Sequence, residues 1–460
     1  VSGTAEPEYS VNYGVFNAFA RVMRRDFVGL PEPERQPAYQ GYLEDYAQKV
    51  WNGGGHTVQF VEQLDSYVRA FGVPAARLVV DHTLTPHYPA FTWGMRVRAW
   101  GDALYVTSAL SACPFEPGDA ITHASMYGEP TFAAVASLRR RFGTALCGRE
   151  PERELWDPLL HHARRFLVAG EGDAPAAPAA RPALPGALRL RVADAAHSRR
   201  VEPDRLPVPA PRAPFELAEG DGGAVVLTLH DLSDGRALAA WVEGHRAVLD
   251  GARRLVVDVR ACTGGPDEAL LPLVPYVVDA PTSLAPFMET TCLTNYSANN
   301  VARELALLDG FCAAYPGEEA WAAATRTELG QKSGAGLVEE PVGLPDACRA
   351  EVAPAGRAAQ VCLLTDVGTC DAAETLAEVC RASGRAVVVG RATRGSRGYF
   401  NGVEVKEGAY TLVYPMSRHT DEGLARRFFG VGVPPEVAVP WTPEAVGRDP
   451  DLAAARGLMG

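Results

Sequence analysis

The sequence predicts an α/β protein whose second half holds a largely parallel sheet, and two observations predict it. From residue 222 onward, short apolar runs recur: GGAVVLTL (222–229), RRLVVDVR (253–260), QVCLLTD (360–366) and RAVVVG (385–390). Between them lie segments of helical periodicity, such as ALAAWVEGHRAVL (237–249) and residues 372–383. Strands that are apolar on both faces need cover on both sides, and alternation with helices supplies it. No repeat period is visible, so solenoids and propellers are excluded.

The first half is organised differently. VFNAFARVMRRDFVGL (15–30) puts Val15, Phe16, Phe19, Val22 and Met23 on one side at helical spacing. TVQFVEQLDSYVRAFG (57–72) repeats the device with Phe60, Leu64, Val68 and Phe71, and Gly72 is a plausible stop. MRVRAWGDALYVTSA (95–109) alternates like a hairpin turning at Gly101–Asp102, with a turn at EPGDAI and helices expected at TFAAVASLRRRF (131–142) and 152–168. Two Pro-rich stretches, 171–186 and 206–216, read as exposed connectors. The expected division is a helical bundle over 1–80, a β-rich region over 81–215 and an αβ domain over 216–460.

Composition narrows the function. At 460 residues the chain is long enough for several domains. A net charge of -12, with no run of Lys or Arg, argues against nucleic acid or an anionic membrane as the main partner. No stretch of eighteen apolar residues occurs, so no membrane span is expected. Nine scattered cysteines without a C-x-x-C pair indicate neither a disulfide framework nor a zinc site. That usage and the lack of a signal-like start predict a cytoplasmic setting, with no cofactor and no metal.

Two turns carry the chemistry. In LLTDVGTCDAAETLAEV (363–379) a strand runs into a helix, with Cys370 at the junction. Ala373, Leu376, Ala377 and Cys380 give the helix one buried stripe. Asp371 and Glu374 have capping-box spacing, so Asp371 is the expected N-cap. A helix N-terminus stabilises a thiolate, and its free N–H groups can receive an oxyanion. In RRLVVDVRACTGGPDEALL (253–271), Gly264 and Gly265 allow backbone N–H groups to face a ligand. Taken alone, each turn is also an ordinary strand–helix connection, and a free cysteine is most often an inert core residue.

In combination the segments resemble the tail-specific, or C-terminal processing, proteases. They are most similar to the branch of the tricorn core and the interphotoreceptor retinoid-binding protein. The resemblance rests on VVDVRACTGG (256–265), LLTDVGTCDAAETLAE (363–378), VVVGRATRGSRG (387–398) and GVGVPPEVAV (430–439), in that order. They stand where the family has a Gly-Gly turn, a Thr-x-Ser-Ala-x-Glu nucleophile segment, a Gly-Glu-x-Thr-x-Gly segment and Gly-Val-x-Pro-Asp. Upstream, residues 93–131 are similar to a PDZ-like domain, and VVDHT (79–83) to an Asp-Gly-His-Thr segment.

The resemblance implies a crotonase/ClpP-like αβ catalytic domain, with an N-terminal helical domain and a PDZ-like β-rich domain. It puts Cys370 at the nucleophilic serine and His82 at the base, with His56 in NGGGHT ranked second. The N–H groups of Gly264 or Gly265 and of Asp371 would form the oxyanion hole. The dyad branch has a lysine about 25 residues after the nucleophile; here that neighbourhood is RGSRG, with Ser396 and Arg397 and no lysine. The acid expected before Gly-x-Gly-Val is replaced by Phe429. Asp81, Asp421 and Glu422 are candidates to orient the histidine, and His87 and His230 to line the pocket.

The implied function is a cysteine-nucleophile acyl hydrolase or peptidase-like enzyme working through a thioester. One alternative is an acyltransferase or cyclase that takes a carrier-protein-bound thioester. Another is a non-catalytic protein binding a peptide or an apolar ligand.

Overall fold

The computed structural model describes residues 8–29, 57–69, 71, 73, 75–81, 84, 91–92, 95–109, 113, 115–125, 133–134, 188–192, 199–201, 204–205, 213–220, 223–314, 319–420 and 428–460. The elements that matter here begin with helices α1 (Glu8–Arg25) and α2 (Thr57–Arg69) and strands β1 (Arg77–Val80), β2 (Met95–Trp100), β3 (Ala103–Ala109) and β4 (Ala120–Ser125). Then come β5 (Leu188–Val192), β6 (Arg199–Val201), β7 (Phe215–Glu219), β8 (Ala224–Leu229), α3 (Gly235–Gly244), β9 (Arg254–Asp258) and β10 (Thr291–Tyr296). The chain continues through α4 (Ala298–Ala314), α5 (Glu319–Lys332), β11 (Gly336–Pro341), β12 (Gln360–Thr365), α6 (Ala372–Ala382) and β13 (Ala386–Gly390). It closes with β14 (Tyr399–Glu407), β15 (Tyr410–His419), β16 (Val437–Ala438) and α7 (Pro450–Leu458).

The largest parallel sheet runs in the order β7-β8-β9-β12-β13-β16. β7 is antiparallel to β8 and every other pair is parallel. This is the α/β arrangement that the apolar runs predict. The central strand β12 has five consecutive buried residues, Val361–Thr365, because both its faces are covered. One face packs on α3, α6 and the turns after β9, through Leu238, Leu270, Val274, Leu376 and Ala377. The opposite face takes the C-terminal helix α7, with Ala455 against Val256, Cys362, Leu364 and Val389.

A second, five-stranded sheet has the order β1-β15-β10-β11, with β14 added on β15. Arg77–Val80 pair antiparallel with Tyr410–Val413, so the end of the N-terminal region joins a sheet built from the last third of the chain. The apolar stripes of α1 and α2 (Phe16, Phe19, Met23, Phe60, Leu64 and Val68) bury against Tyr296, Val403, Tyr410, Leu412 and Tyr414 of that sheet. Asp26, just after α1, is buried and held by Arg303 (2.9 Å) and Ser297 (2.7 Å).

The third sheet is antiparallel, β2-β3-β4-β5-β6. The hairpin β2–β3 forms where alternation predicts it and turns at Gly101, whose φ is +55°. Ala133–Ala134 form a short strand against His123–Ala124, where a helix is expected from the sequence. The remainder of that expected helix, the one at 152–168 and the stretch 171–186 lie outside the described residues. This sheet touches the parallel sheet's end through Arg98 on β2, which donates to both oxygens of Asp366 at 2.8 and 3.0 Å.

Candidate active site

The strand β12 ends in a tight loop. Asp366 N–H donates to Thr369 Oγ1 (3.1 Å), Thr369 N–H donates to Asp366 O (2.8 Å), and the Thr369 hydroxyl donates to Val259 O (2.8 Å). These bonds lock residues 366–369 against the turn after β9. The chain then bends sharply into α6, and the bend falls at Asp371, with φ 50° and ψ −123°. It is one of two non-glycine residues with positive φ among the described residues. Such a backbone is strained for any residue with a Cβ, and a sharp strand–helix elbow is where this strain lifts a side chain above the sheet.

This corrects two expectations. Cys370 does not present its thiol at the elbow. It is 4% exposed, and its Sγ–H donates to Cys262 O at 3.4 Å, because the residue before the bend points down into the loop packing. Asp371 is the exposed residue at the turn. Laying Thr-x-Ser-Ala-x-Glu along Thr369-Cys370-Asp371-Ala372-Ala373-Glu374 agrees with this: Asp371 falls on the serine and Cys370 on the variable position before it. Counting 25 residues on from Asp371, the spacing that the resemblance gives for the lysine of a Ser–Lys dyad, reaches Ser396.

The capping box does not form either. Asp371 is at the N-cap position, but its side chain makes no capping bond. Glu374 instead turns to the loop after β13. It accepts from the Thr393 hydroxyl (2.5 Å), Gly395 N–H (2.6 Å), Ser396 N–H (2.8 Å) and the Ser396 hydroxyl (2.6 Å). Val433 N–H donates to Thr393 Oγ1 (2.7 Å), so the Gly-Val-Gly-Val segment is tied to the same loop.

The oxyanion donors expected from sequence are only partly free. Asp371 N–H donates to Ser396 Oγ (3.0 Å). Gly264 lies hard against the elbow: a Cβ there would sit 2.6 Å from Asp371 Cβ, and its φ is +86°. Its N–H is turned to the Cys262 thiol. Gly265 and Ala372, the first residue of α6, keep N–H groups without a partner among the described residues.

Although Asp371 is exposed as a residue, the protein crowded around its carboxyl desolvates it and pushes it up to about 6; the Ser396 hydrogen bond opposes the rise, Glu374 and Asp267 add to it, and Arg397 opposes it. Burial also pushes the Cys262 thiol up to about 11 and Glu378 up to about 7. At Asp366 burial works in the same upward direction, but Arg98 and Arg391 overcome it and pull the carboxyl down to about 2.

His230 directly follows β8. Its side chain is buried with Nε2 3.1 Å from Glu216 Oε1, and its carbonyl accepts from Thr263 N–H (2.9 Å). It thus supports the Gly264 turn from behind. Asp81 joins the second sheet through its N–H to Ala409 O (2.8 Å). His82, His87, His56, Asp421 and Glu422 lie outside the described residues. Among the described residues, no group of side chains could hold a metal ion, and no helix is long and apolar enough to cross a membrane.

Residues 223–439 match the profile of Peptidase family S41. This region belongs to peptidase family S41. The S41 region contains the parallel sheet from β8 onward, the elbow, the Gly264 turn and the Glu374-bound loop. Among solved structures, the chain is similar to mature CPAF complexed with lactacystin, with a TM-score of 0.62, 12% identity and 98% of each chain covered. It is also similar to mature CPAF alone, with a TM-score of 0.61, 12% identity and 98% and 97% of the two chains covered. At that identity the likeness is one of fold. No curated protein matches the chain in sequence.

Proposed function

We propose that the protein is a peptidase-like hydrolase of the S41 scaffold in which Asp371 is the acid–base group. The observation that supports this most is the elbow itself: the exposed side chain at the strained turn is a carboxyl, in the serine's place, with its proton affinity raised toward neutrality. The ionised carboxylate takes a proton from a water molecule, and the hydroxide adds to the peptide carbonyl carbon. The oxyanion is received by N–H groups such as those of Gly265 and Ala372. Collapse breaks the C–N bond as Asp371 returns the proton to the leaving nitrogen. No acyl-enzyme forms on this route. A thioester route, whether hydrolytic or carrier-dependent, needs a reachable thiol, and both Cys262 and Cys370 are buried.

A second reading has support of its own. Asp371 N–H and Gly264 N–H, the two donors a covalent mechanism would use, are both engaged inside the protein. That fits a chain that binds peptides without cleaving them. Hydrolysis of fluorescein-labelled casein by wild type, Asp371→Asn and Cys370→Ala separates the readings. Turnover lost at least about a hundredfold in Asp371→Asn and kept within about threefold in Cys370→Ala is the expected result. Loss in Cys370→Ala with retention in Asp371→Asn reinstates the cysteine enzyme. Casein retention without cleavage by the wild type supports the binding protein.

A further inference from the structure

Next to Asp371 the fold places one hydroxyl between two carboxyl groups. Ser396 Oγ lies 3.0 Å from Asp371 Oδ1 and 2.6 Å from Glu374 Oε2, and it accepts from Asp371 N–H at 3.0 Å. A serine hydroxyl has a single proton, so it cannot donate fully to both acids at once. Glu374 is the fixed partner: it is 1% exposed and takes two backbone N–H groups and the Thr393 hydroxyl besides. Asp371 is the solvent-facing one.

The charges around Asp371 come from several elements. Glu374 lies on α6 and Asp267 on the short 3₁₀ turn after β9, both acidic. Arg397 follows Ser396 and is itself paired with Glu378, with Asp267 Oδ2 at 3.8 Å. Among the described residues, the Cys262 thiol, under the Gly264 turn, is a further titratable neighbour.

We propose that Ser396 and Glu374 are positioning residues that set the proton affinity of Asp371 in opposite directions. Ser396 favours the ionised carboxylate by donating its hydroxyl proton. Glu374 disfavours it by like charge and by competing for that same proton. Below the midpoint Asp371 carries its own proton. Above it that proton leaves to water, and the hydroxyl is shared between the two acids. The inference rests on the reading of Asp371 as the acid–base group.

The test uses the full chain with two readouts. One is the pH profile of labelled-casein hydrolysis from pH 4 to 9. The other is a carboxyl NMR titration of protein labelled with 13C-aspartate, with the Asp371 signal assigned by its absence in Asp371→Asn. Ser396→Ala should move the acid limb and the NMR midpoint up by about one pH unit, and Ser396→Thr should restore them. Glu374→Gln should move both down by a similar amount. Shifts in the same direction, or no shift in either variant, overturn the inference. A merely structural role would lower the melting temperature without splitting the midpoints. Should Glu374→Gln not fold, the alanine–threonine pair at 396 decides by NMR alone. If Asp371→Asn cleaves casein like the wild type, the functional reading fails, while the NMR midpoints still report on the two neighbours.

Discussion

Two aspartates five residues apart on one loop have opposite fates. Asp366, at the end of β12, is clamped by Arg98 from the antiparallel sheet and by Arg391 from the loop after β13, and its carboxyl is held near 2. Asp371, at the elbow, meets a hydroxyl and other acids, and its carboxyl is held near 6. Both feel burial. What differs is the sign of the charges facing them, and that sign separates a group that ties elements together from one that can exchange a proton at ordinary pH.

The contrast can be broken by mutation. Asp366→Asn should have the largest effect on stability, a loss of about 3 kcal/mol in urea unfolding, because it takes the carboxylate from a half-buried Arg98 and loosens Arg391, which keeps only Asp451 as an acidic partner. Gly264→Ala comes next, at about 2 kcal/mol or more. The new Cβ meets Asp371 at 2.6 Å on a backbone with positive φ, so it should also depress casein turnover by displacing the elbow. The smallest effect is at Asp371 itself: Asp371→Asn should melt no lower than wild type at pH 7.

The pH dependence sharpens the comparison, because the two signs differ. For Asp366 the folded-state value lies below the ordinary 3.8, so its stabilisation is present above that value and is lost as pH falls toward 2. For Asp371 the folded-state value lies above 3.8, so its contribution is full below that value and is lost as pH rises through 6. Thermal melts across pH 2 to 8 should therefore flatten between 2 and 4 in Asp366→Asn, and between 4 and 6 in Asp371→Asn. Turnover in the wild type should rise through about 6, where the carboxylate becomes available as a base.

The parallel sheet was legible because doubly buried strands such as Val361–Thr365 must be apolar on both faces, and that leaves a local mark in the sequence. The position of the elbow left a fainter one. The spacing of Thr369, Ala372 and Glu374 marks Asp371, but thiol chemistry draws attention to Cys370, and a positive φ has no side-chain signature. At ψ −123° that backbone lies outside the left-handed helical region that aspartate favours, so the residue type itself gives no hint. The Ser396 contact spans 25 residues and the Arg98 clamp 268, so neither could be read from periodicity. The capping-box spacing misled because Glu374 found better donors in the loop after β13 than at its own helix end.

The pairing of Arg77–Val80 with Tyr410–Val413 has a practical outcome for anyone trimming the gene. A recombinant product begun at residue 216 would leave Tyr410–Val413 of β15 without their β1 partners and lay bare the greasy underside formed by Tyr296, Leu412 and Tyr414. Such a fragment should clump on expression, whereas separately supplied N-terminal peptide spanning 8–81 should rescue it by strand addition.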